Sequence, residues 1–158
     1  MIQEYSSKDT SISVVNKVYK QYNFRPFTTV LDYGGGKYDK NKDYMQQKQV
    51  NVLVYDKYNR SEEENLYALS VPHYDYLVCS NVLNVIKEDV VIDEILKHMQ
   101  SLNADLYLFT VYEGDKSGVG KETKKGYQRN QKLAFYKSLL EQYFTKVENK
   151  KGILVCKK

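Results

Sequence analysis

The stretch Thr28-Thr29-Val30-Leu31-Asp32-Tyr33-Gly34-Gly35-Gly36 decides how this chain folds. Before the glycines it is β-branched, apolar or aromatic except at Asp32, the composition of a short buried strand. The glycines then stop it. Glycine lets a backbone turn sharply and lets a ligand approach with no Cβ in the way. Downstream, residues 40–48 can form a polar helix, and Val50-Asn51-Val52-Leu53-Val54-Tyr55 reads as a second strand ending at Asp56. Strand, glycine turn, helix, strand and terminal acid make a βαβ unit. Such units run their strands in parallel and bind ligands beyond the strands' carboxyl ends.

Working outward, the same alternation continues. Ile12, Val15, Val18, Tyr19 and Tyr22 fall at helical spacing and predict an opening helix that Pro26 ends. Residues 59–69, with acids at 62–64, suit a short helix, because negative charge is favourable in a first turn. Tyr74-Asp75-Tyr76-Leu77-Val78-Cys79 reads as a buried strand. Val91, Ile95, Leu96, Met99 and Leu102 predict an amphipathic helix over 88–101, and Asp105 to Tyr112 another strand. Leu133, Tyr136, Leu140, Tyr143 and Phe144 mark the last helix. Residues 145–148 and 153–156 then form strands around Lys150-Lys151-Gly152. The expected fold is α/β: a Rossmann-like three-layer α/β/α arrangement with a mainly parallel sheet and an antiparallel C-terminal hairpin. No linker or repeat divides it, so residues 1–158 are expected to form a single compact domain.

Composition narrows the class. With 42% hydrophobic and 28% charged residues, the chain has the balance of a globular protein rather than a disordered or membrane-spanning one. The start lacks the basic and apolar runs of a secretory signal, and no apolar stretch reaches the roughly 18 residues needed to span a bilayer. A cytoplasmic protein without membrane contact is expected. Cys79 and Cys156 lie in strand-like runs and suit buried, reduced thiols. They lack zinc-ligand spacing and His73 and His98 stand alone, so no metal is expected.

The glycine turn and Asp56 together suit an adenosine, whose ribose hydroxyls a carboxylate can accept. A dinucleotide would need a third glycine where Tyr38 or Asp39 stands. A ligand with an ammonium group would instead suit an acid near the turn, and Asp32 is placed for that.

Leu31-Asp32-Tyr33-Gly34-Gly35-Gly36 resembles the first motif of class I S-adenosylmethionine-dependent methyltransferases, and Val54-Tyr55-Asp56 resembles their second. The resemblance implies S-adenosylmethionine as cofactor. It implies a binding set of Asp32, Tyr33, Gly34, Gly35, Gly36, Asp56, Lys57, Ser80 and Asn81. Asp32, Gly34 and Gly36 would surround the methionine part and Asp56 would hold the ribose. Cys79-Ser80-Asn81-Val82-Leu83-Asn84 stands where amino-methylating members carry an Asp/Asn/Ser-Pro-Pro-aromatic motif. Asn81 and Asn84 are therefore catalytic candidates, although Val82-Leu83 replace Pro-Pro and Asn84 replaces the aromatic. Asn81 could equally shape the strand-to-helix turn, a common role for Asn.

Residues 112–130 read as a long, irregular and basic loop on the ligand side of the sheet. Lys116, Lys121, Lys124, Lys125, Tyr127 and Arg129 could track phosphates and stack on a base, which points to a nucleic acid (DNA or RNA) as acceptor. Glu113, with Asp115, could orient or deprotonate the acceptor group. The competing reading is a solvated lid whose charge aids solubility. Two other functions stay open: a catalytically silent nucleic-acid or partner-binding protein, and a small-molecule methyltransferase. Target recognition would come from the loop, a homodimer partner or another subunit. The asparagine turn and loop also resemble small phage- or mobile-element-type methyltransferase-like proteins.

Overall fold

A computed structural model describes residues 14–124 and 126–158. Four parallel strands form its centre: β1 (Thr28–Tyr33), β2 (Val50–Tyr55), β3 (Tyr74–Ser80) and β4 (Ala104–Thr110). After a short hairpin of β5 (Lys121–Thr123) and β6 (Gly126–Gln128), the chain ends in β7 (Lys146–Lys150) and β8 (Ile153–Lys157). The main sheet has the order β2-β1-β3-β4-β8-β7, with β8 antiparallel to β4 and β7 antiparallel to β8. The expected fold class is found, including the C-terminal hairpin.

Helices cover both faces. α1 (Lys17–Gln21) and α2 (Lys40–Gln46) pack on one side through Val18, Tyr19 and Met45 against Val30, Val52, Val78 and Leu108. α3 (Glu62–Leu69), α4 (Asp89–Ser101) and α5 (Leu133–Leu140) cover the other through Ala68, Ile92, Leu96, Tyr136 and Leu140. The period of two along a strand sorts β1 between these layers: Leu31 and Tyr33 face α4, Val30 the α1/α2 side. Both faces of β1 are buried, as the continuous apolar run requires. Cys79 and Cys156 are buried free thiols, and burial pushes the Cys79 thiol well up, which leaves it inert.

From β1 the sheet grows in two directions, to β2 on one side and to β3 on the other. The crevice beyond their carboxyl ends is the switch point at which open α/β sheets bind ligands. Ser61 opens α3 with a capping box shared with Glu64, and Glu62, Glu63 and Glu64 all lie in its first turn. Two expectations change. The opening helix is described only over Lys17–Gln21, and Ile12 lies outside the described residues. The 112–130 loop is not irregular: it carries the β5–β6 hairpin. Buried Asn130 organises the rest, donating to Val119 O (2.9 Å) and accepting from the Asp115 N–H (3.1 Å).

Among the described residues no helix is long and apolar enough to cross a membrane.

Candidate active site

A cavity of about 610 Å³ opens at the switch point, within the size range of small-molecule sites. Three chain segments build its floor: Tyr33–Gly36 after β1, Tyr55–Tyr58 after β2 and Ser80–Val82 after β3. The glycine turn is backbone geometry first. Gly34 and Gly36 both have φ near +80°, a region that side chains avoid. The Gly34 N–H donates to Tyr55 O (2.7 Å) and the Gly36 N–H to the Asp56 carboxylate (2.8 Å). The turn is thereby tied to the end of β2. At Gly36 nothing lies within 4 Å of where a Cβ would point, while at Gly34 the Val82 side chain stands 2.6 Å from that place.

Asp56 is only 4% exposed and borders the cavity. Its carboxylate accepts from the backbone N–H groups of Gly36, Tyr58 and Asn59 and from the Asn59 amide, at 2.8–3.1 Å. The acid at the strand end is thus held rigidly by the loop that it organises. Arg60 completes the frame from outside. It donates to Gly36 O (2.8 Å) and Tyr38 O (3.0 Å) and pairs with Asp39 (2.8 Å) and Glu64 (3.2 Å).

Asp32 stands elsewhere. It is 1% exposed, is not among the residues bordering the cavity, and lies behind the glycine turn on the α1/α2 side. A Cβ on Gly35 would meet its Oδ2 at 2.6 Å. The Asn41 amide donates to it (3.2 Å), and Asn41 is itself paired with Asn16 through two hydrogen bonds. Burial pushes the Asp32 carboxyl up to about 6, against the lowering pull of Asn41. It supports the turn from below.

The cavity has two kinds of wall. Val82, Val85, Ile86, Val91 and Ile95, with Tyr33 and Tyr55, form an apolar side under α4. Tyr33 shares a hydrogen bond with His98 Nδ1 at 2.5 Å and lies tilted against Tyr55, with ring centroids 4.8 Å apart. Asn16, Lys37, Tyr38, Lys40, Asn41, Ser80 and Asn81 form the polar side. Among the described residues Lys37 and Lys40 have no carboxylate partner; the Lys37 ammonium lies 5.3 Å from the Tyr38 ring centre. Lys57 likewise borders the cavity, over the Tyr58 ring.

The sequence candidates therefore divide. Tyr33, Gly34, Gly35, Gly36, Asp56, Lys57, Ser80 and Asn81 come together around the cavity. Asn81 adopts φ 59° and its N–H donates to Thr110 O (2.9 Å), so it also shapes the turn. Asn84 does not border the cavity; it is 2% exposed and its side-chain oxygen has no hydrogen-bond partner among the described residues. Glu113 is also away from it, accepting from the Leu133 N–H (2.8 Å) at the start of α5. Lys116 pairs with Glu113 (3.9 Å), Lys121 with Asp115 (3.3 Å) and Arg129 with Asp89 (2.7 Å). Tyr127 packs beneath Gly120 and beside Lys87. Lys124 is exposed, and Lys125 lies outside the described residues.

Asn16, Lys37, Lys40, Asn41, Arg60 and Glu94 are site residues that the motif reading missed. All but Arg60 border the cavity. The polar helix after the glycine turn was visible in the sequence; that its first turn faces the ligand side could have flagged Lys40 and Asn41. Arg60 carries no sequence signal beyond its place before the capping box.

This geometry is that of a Rossmann-like α/β/α fold. A solved structure with the same architecture is the TehB-like SAM-dependent methyltransferase from Corynebacterium glutamicum, at a TM-score of 0.52 and 17% identity over 85% of this chain and 82% of that one. No protein-family model and no curated protein matches the chain.

Proposed function

We propose that the chain is an S-adenosylmethionine-dependent methyltransferase with a nucleic acid as methyl acceptor. The observation that carries the first half is the cavity itself: a positive-φ glycine turn bonded to a rigid strand-end carboxylate, facing an apolar wall. A nucleoside with an amino-acid tail fits such a two-sided space. The flat base suits Val82, Ile86, Val91 and Ile95, the ribose suits Asp56, and the charged tail suits the polar side with Asn16 and Asn41. The likeness to a TehB-like enzyme supports the same cofactor.

When bound, S-adenosylmethionine supplies an activated methyl group on a sulfonium. This chain's residues then have to align the acceptor, and alignment is worth many orders of magnitude in a direct displacement. Ser80 and Asn81 border the cavity at the end of β3 and offer a hydroxyl and an amide to orient an acceptor. A strong base is not required for a nucleophile with its lone pair available.

Support for a nucleic-acid acceptor is electrostatic. The chain carries a net charge of +4, and Lys37, Lys40 and Lys57 surround the cavity. Cations beside a site raise the local concentration of anionic partners. A small-molecule acceptor is the second reading, favoured by the internal ion pairs of Lys116, Lys121 and Arg129, which occupy the cations of the hairpin region. Incubation with labelled S-adenosylmethionine separates them. Label incorporated into DNA or RNA supports the proposal; label only in a metabolite extract selects the second reading; no transfer to either contradicts methyltransferase activity.

A further inference from the structure

Arg129 follows β6 and does not border the cavity, yet its bonds run to the 84–89 segment, of which Val85 and Ile86 border it. Its Nε donates to Ile86 O (2.6 Å), and one terminal nitrogen donates to Lys87 O (2.9 Å) and to the Asp89 carboxylate (2.7 Å). Its backbone N–H donates to Asn84 O (2.9 Å). The Arg129 side chain is 11% exposed and its bond to Ile86 O is partly buried, while the Asp89 carboxylate that it meets is open to solvent. Hydrogen bonds to a charged donor are among the stronger ones a protein makes.

The segment that receives them is anchored through the core side chains of Leu83 and Ile86, but its backbone lies outside the sheet. Residues 83–85 form one 3₁₀ turn, and Ile86 is already extended. No sheet ladder holds the Ile86 and Lys87 carbonyls. Yet Val82, Val85 and Ile86 border the cavity, and Val82 packs directly on Gly34. Lys87 adds a second tie to the hairpin through Glu122 (3.0 Å) and the Tyr127 ring (5.7 Å to its centre). A planar guanidinium suits the junction because it meets several oxygens in fixed directions at once, which an ammonium does not.

We infer that Arg129 is a positioning residue that sets the apolar wall of the cavity and couples the β5–β6 hairpin to it. This rests on the reading that the cavity holds an adenosyl ligand. Coupling between two sites is reciprocal. A partner engaging the hairpin therefore alters cofactor affinity, and bound cofactor restrains the hairpin.

The test combines amide hydrogen exchange with calorimetric titration by S-adenosylhomocysteine on wild type, Arg129→Met, Arg129→Lys and Asp89→Asn. In Arg129→Met, exchange over residues 84–91 should accelerate while the glycine turn keeps its protection. Affinity should fall by about tenfold or more, the scale of losing hydrogen bonds to a charged group. Arg129→Lys keeps the charge without the fork and should fall between Arg129→Met and wild type. Asp89→Asn removes one partner's charge but not its acceptor oxygen and should have the smallest effect. A folded Arg129→Met whose hairpin exchanges faster but whose affinity stays within twofold of wild type overturns the inference. If that variant does not fold, Arg129→Lys and Asp89→Asn both at wild-type affinity overturn it equally. Failure of the wild type to bind S-adenosylhomocysteine contradicts the cofactor reading instead. Exchange over 84–91 in Arg129→Lys then still decides whether Arg129 holds this wall: acceleration supports it, and no change overturns it.

Discussion

The glycine turn and the 113–130 loop are both rich in polar and flexible residues, and they spend that polarity differently. Around the turn, the buried carboxylate of Asp56 collects backbone N–H groups, and this leaves an open cavity bordered by Lys37 and Lys40. In the loop, cations are claimed by acids: Lys116 by Glu113 and Lys121 by Asp115 within it, and Arg129 by Asp89 at the start of α4. A basic stretch in sequence is therefore a poor measure of available charge. What matters is whether acids nearby in the fold claim the cations. The turn builds a site, and the loop builds a support for one.

The largest expected effect breaks this comparison at its acids. Asp56→Ala leaves the Gly36, Tyr58 and Asn59 N–H groups without their acceptor, and an orphaned buried donor costs about 1–3 kcal/mol. These donors are only partly buried, so denaturant unfolding should show a loss of up to about 3 kcal/mol, together with lost binding of S-adenosylhomocysteine. Asp115→Ala in the exposed loop should unfold at nearly the wild-type midpoint. Comparable losses from both would abolish the distinction.

Asp32 gives the next effect, and it depends on pH. Its folded pKa of about 6 lies above the ordinary 3.8, so the folded state holds the proton more tightly than the unfolded one. Its contribution to stability is thus full below about pH 4 and is lost as pH rises through 6. Asp32→Asn should remove this slope. The difference in unfolding free energy between variant and wild type should move in the variant's favour by up to about 3 kcal/mol between pH 4 and pH 7. A difference that stays flat would mean that Asp32 is not held neutral.

Gly35→Ala should cost somewhat less. The added methyl would meet Asp32 Oδ2 at 2.6 Å and Val54 Cγ1 at 2.8 Å, and overpacking of this kind costs about 1–3 kcal/mol. Because the strain falls on the turn, S-adenosylhomocysteine affinity should drop by about tenfold or more, against little change for Gly152→Ala in the C-terminal hairpin turn.

The smallest effect sharpens the comparison at its cations. Neutralising Lys37 and Lys40 together should weaken binding of a short oligonucleotide and lower its salt dependence by about one counterion per lost phosphate contact. Neutralising Lys116 and Lys121 should change it by less than about twofold, since their charge is already offset by exposed ion pairs. Fluorescence anisotropy at two salt concentrations reads both, and the reverse ranking would return the substrate surface to the hairpin.

Most of the sheet was legible because its strands are buried on both faces and read as short apolar runs bounded by turns. Leu31, Leu53, Leu77 and Leu108 are such positions. The glycine turn was legible because positive φ demands glycine at Gly34 and Gly36. The β5–β6 hairpin was not. Lys121-Glu122-Thr123 and Gly126-Tyr127-Gln128 bury no continuous face and show no alternation. Their order comes from Asn130 and Arg129, whose side-chain hydrogen bonds reach partners between 11 and 43 residues away. Asp32 shows a different limit. The motif places it with the ligand, whereas alternation along β1 puts it with Val30 on the α1/α2 side, and the side chain follows the strand. Of the catalytic candidates Asn81, Asn84 and Glu113, only the position directly after a strand end borders the cavity, which is where α/β chemistry concentrates.

The most direct measurement is calorimetric titration of the protein with S-adenosylmethionine, S-adenosylhomocysteine and NAD in parallel. Saturable binding of the first two at one site per chain, abolished by Asp56→Ala and absent with NAD, is the result expected of the glycine-turn cavity. Silence with both adenosyl ligands, or saturable binding of NAD, would contradict it.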